Sequence, residues 1–102
     1  MTDVKFTQEL SGTGGRYVAH VAGTEDAELT FADLGAGVRR IDHVRVPVAL
    51  EGKGVGRALV EFAVARARED RHRLVPRCPF AAAQFKRHAD WADVLAEDEG
   101  GR

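Results

Sequence analysis

The sequence is poor in the residues that build disulfide frameworks and metal centres, since its 102 residues include a single cysteine. Cys78 alone cannot form an intramolecular disulfide or supply a multi-cysteine metal site. The histidines and carboxylates show no metal-ligand spacing, so no metal is expected. No apolar run approaches the roughly 18–20 residues of a membrane span. Because the N-terminus also lacks a signal-peptide pattern, we expect a cytoplasmic protein.

The chain also has almost no net charge. Fifteen Lys and Arg against sixteen Asp and Glu leave a formal net charge of −1. This balance gives the chain no overall attraction for nucleic acid or an anionic membrane, so neither partner is expected. Hydrophobic residues make up 44% and charged residues 30%, which is typical of one ordinary domain. We expect that domain to span residues 1–102, with a frayed tail at 96–102.

Alternating apolar residues predict a strand-rich first half. Gly-rich turns separate the four strands, so an antiparallel meander is expected. Helical spacing then predicts a first helix over residues 57–70, and proline at the first position predicts a second helix over 79–88. A short fifth strand, 73–78, must pair in parallel with the fourth because a helix connects them. The predicted strands of the meander are 4–10, 16–22, 27–33 and 38–46. The expected fold is therefore α/β, with an α+β mixed sheet: a meander, a parallel β-α-β unit and a C-terminal helix.

The most informative segment is the glycine turn, residues 51–57, which follows the fourth strand and opens the first helix. Its three alternate glycines are Gly52, Gly54 and Gly56. They let the backbone turn tightly, and the helix N-terminus adds about half a positive charge at the same point. Lys53 and Arg57 add two further cations. The turn therefore predicts an anion site, with a phosphate or pyrophosphate as its natural occupant.

Three phosphate-binding motifs compete for this turn. A P-loop requires Ser or Thr after Gly-Lys, but Lys53 is followed by Gly54. A dinucleotide fingerprint requires a glycine where Arg57 stands, and a larger domain. The acyl-CoA pyrophosphate loop, Gln/Arg-x-x-Gly-x-Gly/Ala, is matched by Gly54 and Gly56. A structural turn that binds no ligand is the remaining alternative, since Gly-rich turns are common.

Beyond this motif, the sequence resembles the GNAT superfamily of acetyl-CoA-dependent N-acetyltransferases, most closely its minimal, single-domain YjdJ-like branch. Residues 43–47 and 51–60 are similar to the family's strand–loop–helix core, and residues 76–80 and 85–88 to the branch's P-x-C-P-F and R-H segments. The resemblance covers about residues 4–95. It implies an N-acetyltransferase with acetyl-CoA as cofactor, in which an amine of an unidentified acceptor attacks the thioester directly. The open edge of a small sheet leaves both a monomer and a homodimer open.

The resemblance also implies a sheet that splays between its fourth and fifth strands, with the pantetheine arm in the gap. Pro76 gives an independent reason for a break there, because it has no N–H to donate to a ladder. Backbone N–H groups of the fourth strand would stabilise the oxyanion of the intermediate. The usual Gln or Arg at the start of the loop is Glu51 here, so Lys53, Arg57 and backbone amides would have to bind the pyrophosphate. The cofactor-binding residues implied are Val44, Arg45, Val46, Gly52, Lys53, Gly54, Val55, Gly56, Arg57 and Phe80.

Cys78 and His43 are the expected catalytic residues. Many relatives carry a tyrosine on the helix after the fifth strand, near the leaving thiolate, and this helix has none. Cys78 lies at a strand-to-helix junction, just before Pro79, and is the titratable group nearest to this position, so it is a candidate general acid or transient acyl acceptor. The alternative is a small residue packed beneath the cofactor. His43, on the fourth strand, is the candidate base, or alternatively a hydrogen-bonded strand histidine.

Two other functions stay open at this level. A non-catalytic acyl-CoA-binding module, acting as a sensor or with a protein partner, would explain the missing tyrosine and the missing acceptor-shaping helices. A nucleic-acid-binding domain would use the seven Lys and Arg of residues 66–88, but the near-neutral net charge weighs against it.

Overall fold

The computed structural model describes residues 4–96, so residues 97–102 of the tail expected at 96–102 lie outside them. Ala96 itself is buried, and its amide donates to the Leu74 carbonyl at 2.8 Å, so the tail does not begin there. Two helices and five strands follow the predicted order, with bounds that differ mostly by one or two residues. The strands are β1 (Val4–Ser11), β2 (Gly14–Val21), β3 (Ala27–Gly35), β4 (Val38–Arg45) and β5 (Arg73–Pro76). The helices are α1 (Val55–Asp70) and α2 (Pro79–Arg87), with short 3₁₀ turns at Val48–Leu50 and Ala89–Val94.

The sheet has the order β1-β2-β3-β4-β5, with each strand next to its neighbour in sequence. The first three pairs are antiparallel and β4 pairs in parallel with β5. Helix α1 supplies the crossover that a parallel pair needs. The expected α/β fold, a meander followed by a parallel β-α-β unit, is therefore confirmed. Within residues 4–96, no helix combines the length and apolar character needed to span a membrane.

Both helices pack on one face of the sheet, and the core lies between them and the strands. Aromatic rings connect the edge strand to α1, since Phe6 stacks on Phe62 at 4.9 Å and Tyr17 meets Phe62 edge-on at 5.2 Å. The opposite face carries charged side chains instead, such as Arg16, which pairs with Glu9 and Glu28. The fully buried large side chains are Tyr17, Val18, Leu29, Ile41, Leu59, Val60, Val64 and Leu74.

A β-bulge interrupts β4. Phe31 of β3 lies opposite Ile41, whereas the preceding Thr30 lies opposite His43, so Asp42 is an extra residue in β4. Because side chains alternate between the two faces of a strand, one extra residue reverses the face of everything that follows. The bulge therefore decides which side chains of the second half of β4 point towards the helices.

The sheet opens between β4 and β5 just after this bulge. Pairing ends at Ile41 and Pro76, and the carbonyl of Ile41 then accepts hydrogen bonds from the amides of Arg77 (3.1 Å) and Cys78 (3.2 Å). Strand β4 continues to Arg45, and in the described part of the chain nothing pairs with its β5 side beyond Ile41. A splayed gap thus forms next to the start of α1.

Candidate functional site

A cleft of about 770 Å³ occupies the splayed gap. Its sides are β4, the glycine turn, the start of α1 and one face of α2. The volume lies within the roughly 300–1,000 Å³ that is typical of small-molecule and cofactor sites. The lining residues are Val44, Val46, Leu50, Glu51, Gly52, Lys53, Gly54, Val55, Gly56, Arg57, Phe80 and Gln84.

The glycine turn holds its shape through two left-handed residues and one buried anchor. Gly52 and Gly54 have φ angles of +79° and +80°, a conformation that costs glycine little and other residues more. Leu50 is almost fully buried, and its carbonyl accepts the amide of Lys53 at 3.3 Å. The chain therefore reverses direction in a few residues and passes directly into α1.

The N-terminus of α1 presents unpartnered amides to the cleft. Gly54 is the N-cap and contributes no side-chain bond, and the first amide to pair is that of Ala58, which donates to the Gly54 carbonyl at 3.0 Å. The amides of Val55, Gly56 and Arg57 have no partner within residues 4–96. Such donors, together with the helix dipole, favour a bound anion.

Gly56 lets three elements approach one another closely. A Cβ at this position would lie 3.0 Å from Cζ of Phe80 and 3.4 Å from Cγ2 of Val46. Any larger side chain would have to displace the Phe80 ring or project into the cleft. The narrow apolar part of the cleft thus depends on the absence of a side chain here.

Charges of both signs line the cleft near the turn. Lys53 and Arg57 are exposed cations, and Arg57 lies 3.8 Å from Glu61 of α1. Glu51, also exposed, is the one carboxylate in the lining. No cluster of three or more His, Cys, Asp or Glu among residues 4–96 could hold a metal ion. The described site therefore offers groups for a phosphate-bearing organic ligand.

Comparison with known proteins agrees with this geometry. A family model described as GCN5-related N-acetyl-transferase matches residues 16–94, which include all of the cleft. The chain belongs to the GCN5-related N-acetyltransferase family. Membership in this family supports acetyltransferase activity in general, and acetyl-CoA is the family's typical cofactor.

A structural neighbour shares the fold of this GCN5-related chain. The NMR solution structure of a GCN5-like protein from Staphylococcus aureus superposes with a TM-score of 0.64. It is 24% identical, and the match covers 92% of this chain and 93% of that one. No curated protein matches the sequence.

The residues expected to bind the cofactor lie together in this member of the family, with one exception. All of them except Arg45 line the cleft. Arg45 is exposed on the opposite face of the sheet, 3.8 Å from Glu28. Val44 lies opposite the buried Leu29, on the helix side, because the bulge at Asp42 has reversed the alternation.

The two expected catalytic residues do not line the cleft. His43 is exposed and lies opposite Thr30, on the sheet face that no helix among residues 4–96 covers. Cys78 is buried at the N-cap of α2, and its carbonyl accepts the amide of Ala82 at 2.9 Å. Its bond to the Ile41 carbonyl places it where β4 and β5 separate, behind the lining residues.

Three lining residues were not expected from the sequence: Leu50, Glu51 and Gln84. Leu50 and Glu51 lie directly before the glycine turn. The sequence predicted only that Glu51 replaces the usual Gln or Arg of the loop, and not that either residue lines the cleft. Gln84 follows Phe80 by four residues, so both lie on one face of α2. That spacing is the signal that could have identified it.

Proposed function

We propose that this chain is an N-acetyltransferase that transfers the acetyl group of acetyl-CoA to an amine by direct attack on the thioester. The observation that carries the proposal is the cleft, which joins unpartnered helix amides to an unpaired strand edge. A ligand with a pyrophosphate at one end and a long amide-bearing arm at the other fits both features. Acetyl-CoA has this composition.

The two halves of the cofactor would meet different parts of the cleft. The amides of Val55, Gly56 and Arg57, with the Lys53 ammonium, would bind the pyrophosphate. The arm would follow the free edge of β4, where main-chain groups lack a partner on the β5 side. Apolar side chains on both sides of the gap would cover the arm.

The proposed reaction needs few catalytic side chains once the amine and the thioester are held together. A neutral amine attacks the thioester carbonyl, the C–N bond forms, and a tetrahedral oxyanion results. The C–S bond then breaks, the thiolate leaves, and the amine loses a proton. Positioning alone can supply a large part of the rate enhancement, and backbone N–H groups of β4 would stabilise the oxyanion.

The roles of Cys78 and His43 stay predictions. Cys78 lies where β4 and β5 separate, so a general-acid role requires the leaving thiolate to reach this junction. His43 lies on the uncovered face, so the proposed reaction does not route the amine proton through it.

Calorimetric titration with acetyl-CoA, CoA and ATP tests the cofactor assignment. We expect micromolar binding of acetyl-CoA and CoA and much weaker binding of ATP, which lacks the arm. Folded protein that does not bind acetyl-CoA would overturn the proposal. Thiol release from acetyl-CoA with a panel of small amines and peptides then identifies the acceptor.

A second candidate is a non-catalytic acyl-CoA-binding module. The observation that favours it is the absence of both expected catalytic side chains from the cleft lining. The two functions differ in one measurement, because the module binds acetyl-CoA but releases no thiol with any amine. Its partner would be a protein rather than an acetyl acceptor.

A further inference from the structure

Gln84 is the one buried polar side chain among residues 4–96. It is 7% exposed, and every other buried side chain in that range is hydrophobic. Its backbone carbonyl is hydrogen-bonded to Nδ1 of His88 at 2.8 Å. Its side-chain amide, in contrast, has no hydrogen-bond partner within the described residues.

The unpartnered amide belongs to the cleft. Gln84 lines it from α2, one helical turn beyond Phe80, and Val44 and Val46 line it from β4. The amide therefore lies on the α2 side of the gap whose other side is the unpaired edge of β4. Water can solvate it while the cleft is open, but a ligand that fills the cleft displaces that water.

Such an amide needs a partner when the cleft is filled. Burying an amide without a hydrogen bond is unfavourable, and buried polar groups in native proteins are almost always paired. An apolar residue would pack equally well at this position if packing were all that mattered. Since residues 4–96 supply no partner, a ligand in the cleft is the source that we consider for one.

We propose that the side-chain amide of Gln84 binds an amide of the pantetheine arm of CoA. The arm carries two secondary amides, each with one N–H donor and one carbonyl acceptor, and a glutamine amide can donate its NH₂ to such a carbonyl or accept such an N–H at Oε1. Because the N–H and C=O of a trans amide point in opposite directions, Gln84 makes one hydrogen bond to that amide, across the gap from β4. This assignment rests on the proposed function. It adds a residue that binds the pantetheine arm of CoA rather than the nucleotide.

Calorimetry with two ligands separates the arm from the nucleotide. CoA carries both, and adenosine 3′,5′-bisphosphate lacks the arm. Gln84→Met keeps the side-chain length and removes both hydrogen-bonding atoms. It should weaken CoA binding on the order of tenfold, as expected when one hydrogen bond is lost and the amide of the arm is left unpaired, and change bisphosphate binding less than twofold. Gln8→Met, at an exposed position of β1, is the matched control and should change neither affinity.

Three outcomes of the calorimetry overturn the assignment, and only the last also overturns the proposed function. Unchanged CoA affinity in Gln84→Met contradicts it and leaves the proposed function intact, and so does an equal loss of both ligands. Failure of the wild-type protein to bind CoA overturns the proposed function, and the assignment with it. The two failures are therefore distinguishable.

A wild-type measurement guards against a variant that misfolds. The chain has two glutamines and no asparagine, so its ¹⁵N spectrum contains only two side-chain amide pairs, assigned by Gln8→Met. The Gln84 pair should shift when CoA is added and stay nearly unmoved with saturating adenosine 3′,5′-bisphosphate, while the Gln8 pair stays in place with both. A Gln84 pair that CoA does not move would overturn the assignment.

Discussion

At the scale of single residues, the cleft depends most on the side chain that Gly56 lacks. Gly56→Val places methyl groups against Phe80 and into the ligand space, because even a Cβ approaches the ring to 3.0 Å. Valine and glycine differ little in helix propensity, so the fold should persist. We expect at least a tenfold loss of CoA affinity, measured by calorimetry. Ala58→Val, on the same helix but outside the lining, is the control and should bind like wild type.

Cys78 can be tested as a general acid by separating turnover from binding. If its thiol protonates the leaving thiolate, Cys78→Ala should lower kcat about 100-fold and leave KM for acetyl-CoA nearly unchanged. Alanine is close to cysteine in size, so the buried N-cap of α2 should tolerate it, and a melting curve checks this. Full turnover by Cys78→Ala would exclude the role and leave a packing residue.

Glu51 is the one lining residue whose charge opposes a phosphate ligand. Glu51→Gln removes this repulsion from an exposed position, so CoA affinity should rise about threefold at low salt and less at high salt. Titrations at two ionic strengths measure both effects. Glu25→Gln changes the net charge equally from an exposed position outside the lining. An equal gain from Glu25→Gln would show that overall charge, rather than the cleft, is responsible.

At the scale of elements, the junction of α1 and β5 carries a pH-sensitive group. Burial, aided by Arg39, lowers the pKa of His72 below its usual 6.5. The unfolded chain therefore binds a proton more readily, and stability should fall as the pH drops below about 6.5, until it passes the folded pKa. Urea unfolding between pH 7.5 and 5 measures this. His72→Gln should flatten the pH dependence, whereas His43→Gln, on the uncovered face, serves as the matched control.

The same scale explains what the sequence could predict. Period-two alternation identified the meander, helical spacing identified α1, and Pro79 identified α2, while the glycine turn identified most of the cleft. The bulge at Asp42 does not follow from period-two alternation, but Ile41 and Val44, which both face the helices, are three residues apart and so break that alternation. The bulge is the reason that His43 and Arg45 lie away from the cleft and Val44 lies in it.

The depth to which single side chains are buried could not be predicted from the sequence, even where spacing could have placed them on the correct face. Gln84 reads as an ordinary polar residue of an amphipathic helix, and only the packing of α2 against the cleft makes it buried. Cys78 could be placed at the junction of β5 and α2 from Pro79, but not its depth behind the lining. Long-range packing decides such details, and a periodicity does not encode it.

At the scale of the whole molecule, ligand binding should be visible as thermal stabilisation. A ligand at 100 times its dissociation constant adds about 2.7 kcal/mol to stability. For a domain of this size, that free energy raises Tm on the order of 10 °C. Acetyl-CoA and CoA should produce this shift in a melting curve and ATP should not. No shift with acetyl-CoA at millimolar concentration would contradict the assigned cofactor.

The carbonyl of Ile41 has a consequence for how this chain can vary. It accepts hydrogen bonds from two amides, whereas a carbonyl in a regular ladder accepts one, and β4 and β5 separate at this atom. Main-chain hydrogen bonds therefore open the gap between β4 and β5, and the side chains that line the cleft do not. Side chains around the gap can therefore be substituted, which changes ligand specificity, while the gap between β4 and β5 is retained.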